Sequence, residues 1–288
     1  MPNSHSDKPL LVLALGGHGI SAPHDISYGS ERQRIAHLSP VLRALGERYR
    51  LLLVHGNGPQ VGRFLTRDHD LENLDIHTAQ TQGELGYLLS QALPAPSVTL
   101  ATRVVVSDDV GPPIKAIGPL LQSQPQAPCK RVSSGWRILV PSPRPEVVVE
   151  SAAIEMLLID HHVVAGGGGG VPLGRAGGPL AAVVDKDWVA SLLAITLDAR
   201  YLIFATDVDG VYKGFDGAHS TRLAVLSVAE ARSLLEAGLE SGSMAPKVAS
   251  AAEFAQATGR RAVICAVDAI ADAVSGRAGT SITAMGLG

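Results

Sequence analysis

The triplet Asp185-Lys186-Asp187 is the part of the sequence whose residue types most directly indicate chemistry. Five glycines precede it at 166–170, and an acidic turn follows it at 206–212. Asp185 is predicted to cap a helix, which places the other two side chains in its first turn. A lysine opposes the helix dipole there, so Lys186 either forms an exposed surface salt bridge or binds phosphate. Together these features predict phosphoryl transfer.

A second lysine repeats this arrangement. Lys247 ends the segment Gly-Ser-Met-Ala-Pro-Lys at another predicted helix start, where Ser243 is the expected cap. Two lysines placed against helix dipoles favour a functional role over accident. We expect Lys186 to be exposed at the start of its helix, with little role in packing.

Three glycine-rich segments follow predicted strands, at 15–19, 54–62 and 166–170. Glycine lets the backbone approach a ligand closely and exposes its N–H groups. Each of the first two segments could equally be an ordinary strand-to-helix turn, and the third could be a flexible linker. Five glycines between two apolar strands, however, cost backbone entropy and supply no packing, which favours a binding role for the third.

Composition limits the class of protein. The 288 residues are 46% hydrophobic and 18% charged, enough for one large core or two modest ones. The net charge of −3, without a basic run, predicts neither a nucleic-acid nor a membrane partner. Cys129 and Cys265 are far apart and lack metal-ligand spacing, so a reducing, cytoplasmic location is expected. No apolar run is long enough to span a membrane.

Alternating predicted strands and helices indicate an α/β fold. Continuous apolar runs favour parallel strands covered on both faces. They occur at 10–15, 51–54, 98–106, 163–165, 181–184, 201–205 and 262–265. Apolar residues at helical spacing predict helices around 35–45 and 85–92, and Ser227 with Glu230 predicts a capping box. The proline-rich stretch 107–145 lacks this periodicity; it is either a lid or small inserted subdomain, or a long surface excursion.

Segments along nearly the whole chain closely resemble those of carbamate kinase, and they occur in that family's order. They are Leu-Gly-Gly-His18, Val-His-Gly-Asn-Gly-Pro-Gln-Val-Gly62, Gln82-Gly-Glu-Leu-Gly-Tyr-Leu-Leu-Ser-Gln91, Ile117-Gly-Pro119, Gly135-Trp-Arg137, Val140-Pro-Ser-Pro143, Gly-Gly-Gly-Gly-Val-Pro172, Val-Asp-Lys-Asp187, Thr-Asp-Val-Asp-Gly-Val-Tyr212 and Gly-Ser-Met-Ala-Pro-Lys247. The combination is specific although each segment is not. The chain is identified as a member of the amino acid kinase superfamily at least.

The resemblance implies a single domain over 1–288, built as a three-layer α/β/α sandwich around a central, mainly parallel sheet. It also implies a homodimer, with a mobile lid at about 107–145. The implied enzyme is a phosphotransferase that interconverts carbamate plus ATP with carbamoyl phosphate plus ADP. Mg²⁺ would enter with ATP or ADP rather than bind in a cage of protein ligands.

The resemblance also assigns site residues. Lys186 and Lys247 would neutralise the phosphoryl oxygens, Asp187 would hold these lysines, and Lys115 would reach in from the lid. The acceptor and the phosphoryl group would be bound by Gly16, Gly17, His18, Gly56, Asn57, Gly58 and Gln60, with Gly167, Gly168 and Gly169 closing the site. The nucleotide would be bound by Thr206, Asp207, Val208, Asp209, Gly210, Val211 and Tyr212, together with Met244, Ala245 and Pro246.

Several positions depart from relatives. Ala14 stands on the first strand where many superfamily members have a lysine, so we expect Lys186 to supply that cation. His18 and Gly19 replace the Asn-Ala pair that is typical of carbamate kinases. In the lid, Ile-Lys-Ala at 114–116 replaces Thr-Lys-Pro, and Val-Ser-Ser at 132–134 replaces acidic-Gly-Arg.

These departures leave two alternatives to a carbamate kinase. One is a kinase of the same fold that acts on another small carboxylate, carbamate-like or phosphonate acceptor. The other is a non-catalytic nucleotide-binding regulator. The retention of Lys186, Asp187 and Lys247 speaks against the regulator.

Overall fold

The computed structural model describes residues 5–21, 25, 27–68, 71–132, 135–213, 220–239 and 243–285, with the backbone alone at 18, 66–68 and 119. The strands, in chain order, are β1 (Leu10–Leu15), β2 (Arg50–His55), β3 (Ser97–Thr99), β4 (Arg103–Val106), β5 (Pro113–Leu121), β6 (Cys129–Val132), β7 (Gly135–Pro141), β8 (Pro145–Val148), β9 (His162–Val164), β10 (Val171–Leu173), β11 (Tyr201–Thr206), β12 (Val211–Lys213), β13 (Thr221–Leu223), β14 (Val225–Ser227), β15 (Ala262–Ala266) and β16 (Thr280–Thr283).

Nine α-helices are assigned within the described residues. They are α1 (Gly17–Ile20), α2 (Tyr28–Arg48), α3 (Gly58–Asp68), α4 (Leu74–Ala92), α5 (Ser151–Leu157), α6 (Lys186–Thr196), α7 (Val228–Glu236), α8 (Met244–Thr258) and α9 (Ile270–Val274). None of the helices within the described residues is both long and apolar enough to cross a membrane.

Eight strands form the central sheet, in the order β14-β16-β15-β11-β1-β2-β9-β3. Every neighbouring pair is parallel except β15 with β16. Because β1, β2 and β11 are adjacent and parallel, the segments that follow them meet at one edge of the sheet. The expected α/β fold with a mainly parallel sheet is confirmed.

Helices cover both faces of this sheet, and β1 shows why its sequence is continuously apolar. Leu11, Leu13 and Leu15 pack with residues of α2, α4 and α9. The alternate residues Val12 and Ala14 pack on the opposite face with residues of α6 and α8. Successive side chains of a strand point to opposite faces, so a strand between two helical layers must be apolar throughout.

The helical predictions are confirmed by burial and capping. The apolar positions on α2 and α4 are buried at helical spacing: Ile35, Leu38, Leu42, Leu45, Leu85, Leu88, Leu89 and Ala92. At the start of α7 the Ser227 hydroxyl accepts a hydrogen bond from the Glu230 N–H, and the Glu230 carboxylate accepts one from the Ser227 N–H. This reciprocal pair satisfies two N–H groups that a helix start otherwise leaves without partners.

The stretch 107–145 contains strands that the sequence did not reveal. Strands β5, β7 and β6 form a separate antiparallel sheet in that order, here called the inserted sheet. It packs against α3, the helix that follows β2. The inserted sheet therefore stands beside the edge where the junctions of the central sheet meet.

Two strand predictions are wrong. The run 98–106 is two strands in different sheets, because the Gln82 side chain accepts a hydrogen bond from the Thr102 N–H (2.6 Å) and donates one to the Thr102 carbonyl oxygen (3.1 Å). The run 181–184 forms no strand, although its residues 182–184 are buried. Val183 meets the inserted sheet instead: its N–H donates a hydrogen bond to the Pro141 carbonyl oxygen (3.1 Å), and its side chain packs with Ile117 and Val140.

The core on the α6/α8 face includes Phe204, which lies fully buried on β11. We expect Phe204→Ala to lower the free energy of unfolding by about 3–5 kcal/mol, because it leaves a cavity in a packed interior. Urea denaturation measures this. Met156→Ala, at a side chain that is 71% exposed, is the control and should change stability by less than about 0.5 kcal/mol. Equal losses in the two variants would contradict the proposed core.

Candidate functional site

A cavity of about 280 Å³ lies at the edge where β1, β2 and β11 end. The structure brings many of the predicted residues to its wall: Gly16, Gly17, Gly56, Asn57, Gly58, Lys115, Gly168, Lys186, Asp187, Thr206, Asp207 and Lys247. These positions span most of the chain. The parallel strand order gathers the junctions after β1, β2 and β11, since these strands end at the same edge, while α6, α8 and the inserted sheet supply the lysines.

Asp185 caps α6 as predicted. Its Oδ1 accepts a hydrogen bond from the Asp187 N–H at 3.0 Å. Its Oδ2 forms an ion pair with Lys115 of the inserted sheet. Burial would raise the pKa of Asp185, but Lys115 and Lys186 outweigh it and hold that pKa well below its usual range. One carboxylate thus caps the helix and ties the inserted sheet to it.

Asp187 joins the two lysines. Lys186 Nζ lies 2.5 Å from Asp187 Oδ1, and Lys247 Nζ lies 3.2 Å from Asp187 Oδ2. Lys247 also donates a hydrogen bond to the Ser243 carbonyl oxygen at 3.0 Å. We call this arrangement the lysine bridge. It holds two ammonium groups side by side on the cavity wall, with one carboxylate between them.

The lysine bridge is buried, so the expectation that Lys186 would be exposed is wrong. Lys186 is 9% exposed, and Asp187 and Lys247 are 2% and 3% exposed. The aliphatic chain of Lys186 runs along the Gly56 backbone and so reaches the junction after β2. Buried ions are costly unless they are paired, and Asp187 provides that pairing for both lysines.

The two ammonium groups differ electrostatically. Burial would lower the pKa of Lys186, but the carboxylates of Asp187 and Asp185 raise it above its usual value. The pKa of Lys247 is lowered by burial and by repulsion from Lys186. The bridge therefore carries more positive than negative charge, which suits an anionic ligand.

The five-glycine segment is a buried turn rather than a flexible linker. Gly166, Gly168 and Gly169 have φ values of 68°, 63° and 86°, a region that favours glycine. A Cβ atom on Gly168 would lie 2.1 Å from the side-chain nitrogen of Asn57. That nitrogen donates a hydrogen bond to Thr81 Oγ1 at 2.8 Å. The turn therefore fits against an Asn57 side chain that α4 holds in place.

His55 lies beneath the same turn and was not predicted as a site residue. Its Nδ1 is 3.1 Å from the Gly56 carbonyl oxygen, and a Cβ on Gly167 would lie 2.4 Å from its Nε2. Burial, with a smaller contribution from Lys186, lowers the pKa of His55 to about 4. His55 is therefore neutral at neutral pH and adds no charge beside the lysines.

Other predicted residues do not reach the cavity wall. They are Gln60, Gly167, Gly169, Val208, Asp209, Gly210, Val211, Tyr212, Met244, Ala245 and Pro246. The Gln60 side chain is buried elsewhere and donates hydrogen bonds to Ser21 Oγ (2.5 Å) and Glu31 Oε1 (2.7 Å). The Val211 N–H donates to Thr280 Oγ1, which gives that backbone a structural role.

The remaining residues of this group lie near the cavity or beyond it. Met244, Ala245 and Pro246 form the first turn of α8, between Ser243 and Lys247, which both line the cavity. Ser243 occupies the N-cap position of α8 as predicted, but its side chain makes no capping hydrogen bond. The side chain of His18 and the residues 133–134 and 242 lie outside the described part of the chain.

Arg137 lines the cavity and was not predicted as a site residue. It lies on β7, and Lys115 lies on the paired strand β5. The segment Gly-Trp-Arg belongs to the resemblance to carbamate kinase, but the pairing of β5 with β7 that places Arg137 at the cavity is not visible in the sequence. The inserted sheet thus contributes two cations to the cavity wall.

Comparison with known proteins agrees with this fold and site. The amino acid kinase family model matches residues 9–266, and the chain belongs to this family. A carbamate kinase of Halobacterium salinarum is 36% identical over an alignment that covers 94% of this chain and 97% of that protein. A solved structure of Giardia carbamate kinase is 32% identical, with a TM-score of 0.88 over 97% of this chain and 100% of that one.

A second solved structure, carbamate kinase from Giardia lamblia bound to AMP-PNP, is 31% identical with a TM-score of 0.86, and covers 96% of this chain and 99% of that one. Within the amino acid kinase family, the chain is thus similar to carbamate kinases over almost its whole length. The predictions of a kinase and of this resemblance are confirmed.

The fit of the glycine turn against Asn57 can be tested with two glycines. Gly168→Ala and Gly177→Ala both place alanine at positive φ, at 63° and 88°, which costs about 1–2 kcal/mol. The Cβ at 177 meets nothing within 4 Å, whereas the Cβ at 168 meets Asn57. We expect Gly168→Ala to lose about 1–3 kcal/mol more in urea denaturation. Equal losses would show that Asn57 does not confine the turn.

Burial of neutral His55 makes stability depend on pH. Between its usual pKa of 6.5 and the folded value of about 4, the unfolded chain binds a proton that the folded chain does not. The free energy of unfolding should therefore fall as pH drops through this range, by up to about 1.4 kcal/mol per pH unit. We expect His55→Gln to flatten the fall between pH 6.5 and 5 and to leave the dependence above pH 7.5 unchanged. A variant with the wild-type slope would contradict the pKa shift.

Proposed function

We propose that the protein transfers a phosphoryl group reversibly between ATP and carbamate: carbamoyl phosphate plus ADP gives carbamate plus ATP. The observation that carries this proposal is the lysine bridge on the wall of a glycine-lined cavity. The similarity to carbamate kinases over nearly the full length supports carbamate as the acceptor.

The cavity suits the phosphates of a nucleotide. Helices α3, α6 and α8 begin at or beside its wall, and helix N-termini favour anions because their N–H groups and dipoles point toward them. A Cβ on Gly56 would lie 3.2 Å from the Gly17 backbone nitrogen, so the first two junctions pack closely with bare backbone. The AMP-PNP bound to the Giardia relative supports a nucleotide here.

In the proposed reaction, a terminal phosphate oxygen of ADP attacks the phosphorus of carbamoyl phosphate. The bond from phosphorus to the carbamoyl oxygen breaks, and its electron pair leaves with carbamate, so the carbamate anion departs without needing a proton. Charge spreads over the phosphoryl oxygens during the transfer. Lys186 and Lys247 would stabilise that charge, while Asp187 keeps both ammonium groups aimed at the cavity.

Mg²⁺ would support the reaction by supplying positive charge that neutralises the nucleotide phosphates. Among the described residues, no cluster of three or more histidine, cysteine or acidic side chains is arranged to hold a metal ion. We therefore propose that Mg²⁺ arrives on ATP or ADP. The roles of the lysine bridge do not depend on a protein ligand to the metal.

The inserted sheet is the proposed lid, within 107–145. Its Lys115 lines the cavity and pairs with Asp185 at the start of α6. With the lid closed, Lys115 would be a further cation beside the phosphoryl group. Residues 206–212 and 244–246 would surround the nucleotide. Of these residues, Thr206 and Asp207 line the cavity wall.

We further propose that the protein is a cytoplasmic homodimer.

A different small carboxylate, carbamate-like or phosphonate acceptor is the second candidate. Ala116, which departs from the proline typical of carbamate kinases, lies on the cavity wall. The lid departure therefore reaches the site itself. His18→Asn separates the candidates in an assay of ATP formation. For a carbamate kinase we expect unchanged kinetics with carbamoyl phosphate; a gain of that activity would show that the imidazole selects another acceptor.

Removal of Lys186 tests the mechanism. We expect Lys186→Met to lower kcat for ATP formation from ADP and carbamoyl phosphate by about 10²–10³-fold, because one preorganised positive charge is lost. Lys130→Met, at an exposed position on β6, is the matched control and should keep the wild-type rate.

Because Lys186 is buried, thermal unfolding of each variant accompanies the kinetics. Asp187 keeps its contact with Lys247 in this variant, so the fold should persist. A folded Lys186→Met protein with near-normal kcat would remove Lys186 from the mechanism. A folded wild-type protein that binds nucleotide but makes no ATP would refute carbamate kinase activity.

A further inference from the structure

Arg137 occupies the cavity wall formed by the inserted sheet, beside Lys115 and Ile117. Its Nη2 donates a hydrogen bond to the Gly118 carbonyl oxygen at 3.0 Å. Its Nε is buried and has no hydrogen-bond partner among the described residues. The guanidinium is therefore tethered at one nitrogen while part of its donor capacity is unused.

The charges around the cavity set Arg137 apart. Lys115 is paired with Asp185, and Lys186 and Lys247 share Asp187. Arg137 makes no ion pair with a carboxylate of the described residues. Burial lowers the pKa of Arg137, and no neighbouring carboxylate acts to raise it.

A half-buried guanidinium without a counterion is unfavourable, since desolvation of its charge is not repaid. Arginine remains charged, and its planar fork matches two oxygens of a carboxylate or phosphate. An anionic ligand in the cavity would supply the missing partner. We propose that Arg137 binds the acceptor: the carboxylate of carbamate, or the oxygens at the carbamoyl end of carbamoyl phosphate.

The topology places Arg137 at the acceptor end rather than the nucleotide end. The inserted sheet packs on α3, which follows β2. Thr206 and Asp207, predicted to bind nucleotide, lie at the end of β11, and β1 separates β11 from β2 in the sheet. Arg137 therefore determines the affinity for acceptor and leaves the affinity for ADP to the other side of the cavity. This inference rests on the proposed function.

The experiment compares Arg137→Met and Arg137→Lys with Arg131→Met in the full chain. Arg131 is the control because it lies exposed on the neighbouring strand β6, stacked over Trp136. We expect Arg137→Met to raise the KM for carbamoyl phosphate by about 10–100-fold, the value of a hydrogen bond to a charged group, with the KM for ADP unchanged. Arg137→Lys should recover part of this loss, because it keeps the charge without the fork. Arg131→Met should match the wild type.

Calorimetric titration of each protein with carbamoyl phosphate and, separately, with ADP gives a second readout that needs no turnover. We expect Arg137→Met to lose carbamoyl phosphate affinity and to keep that for ADP. Lowered thermal stability with both affinities intact, or equal loss of both, would show a structural role and overturn the proposal.

The two proposals can fail separately. Wild-type protein that binds carbamoyl phosphate through Arg137 but forms no ATP would refute the proposed function and leave the role of Arg137 standing. Normal turnover by the wild-type protein, with an unchanged KM for carbamoyl phosphate in Arg137→Met, would overturn the role of Arg137 and leave the proposed function standing. Wild-type protein that neither binds nor turns over carbamoyl phosphate would overturn both.

Discussion

One carboxylate between two buried ammonium groups is the constraint on which the site depends. Asp187 holds Lys186 and Lys247, which come from the first turns of different helices, so α6 and α8 must start side by side at the sheet edge. Because these groups are buried, each charge needs a partner, and an unpaired charge there would lower the stability of the fold. The same burial strengthens the interaction of the lysines with an anion in the cavity. A surface salt bridge, screened by water, would supply neither constraint nor charge.

The central sheet provides the edge on which this constraint acts. Strands β2, β1 and β11 lie next to one another in parallel, so their following segments converge although the sequence separates them widely. The buried glycine turn at 166–170 closes against Asn57, and neutral His55 lies beneath it. The parallel adjacency of β2, β1 and β11 thus brings the glycine-rich backbone segments close together at one sheet edge. This agrees with the general preference of α/β proteins for ligand sites at the carboxyl ends of strands.

The inserted sheet and the central sheet contribute to the site in different ways. The inserted sheet adds cations to the wall without contributing to the central core, because it packs on α3 and reaches α6 through Lys115 and Asp185. The departures from carbamate kinases at 114–116 lie on this sheet, and Ala116 lines the cavity.

The sequence alone determined the α/β class, the central-sheet strands β1, β2, β9, β11 and β15, and the capping of α6 by Asp185, because these follow from local patterns of apolar residues and caps. It misjudged the exposure of Lys186 and the run 181–184, and it missed the position of Arg137 on the cavity wall. Each of these depends on contacts between segments far apart in the chain. Only the tertiary structure decides which charges are buried together, since burial and pairing are properties of packed neighbours and not of spacing.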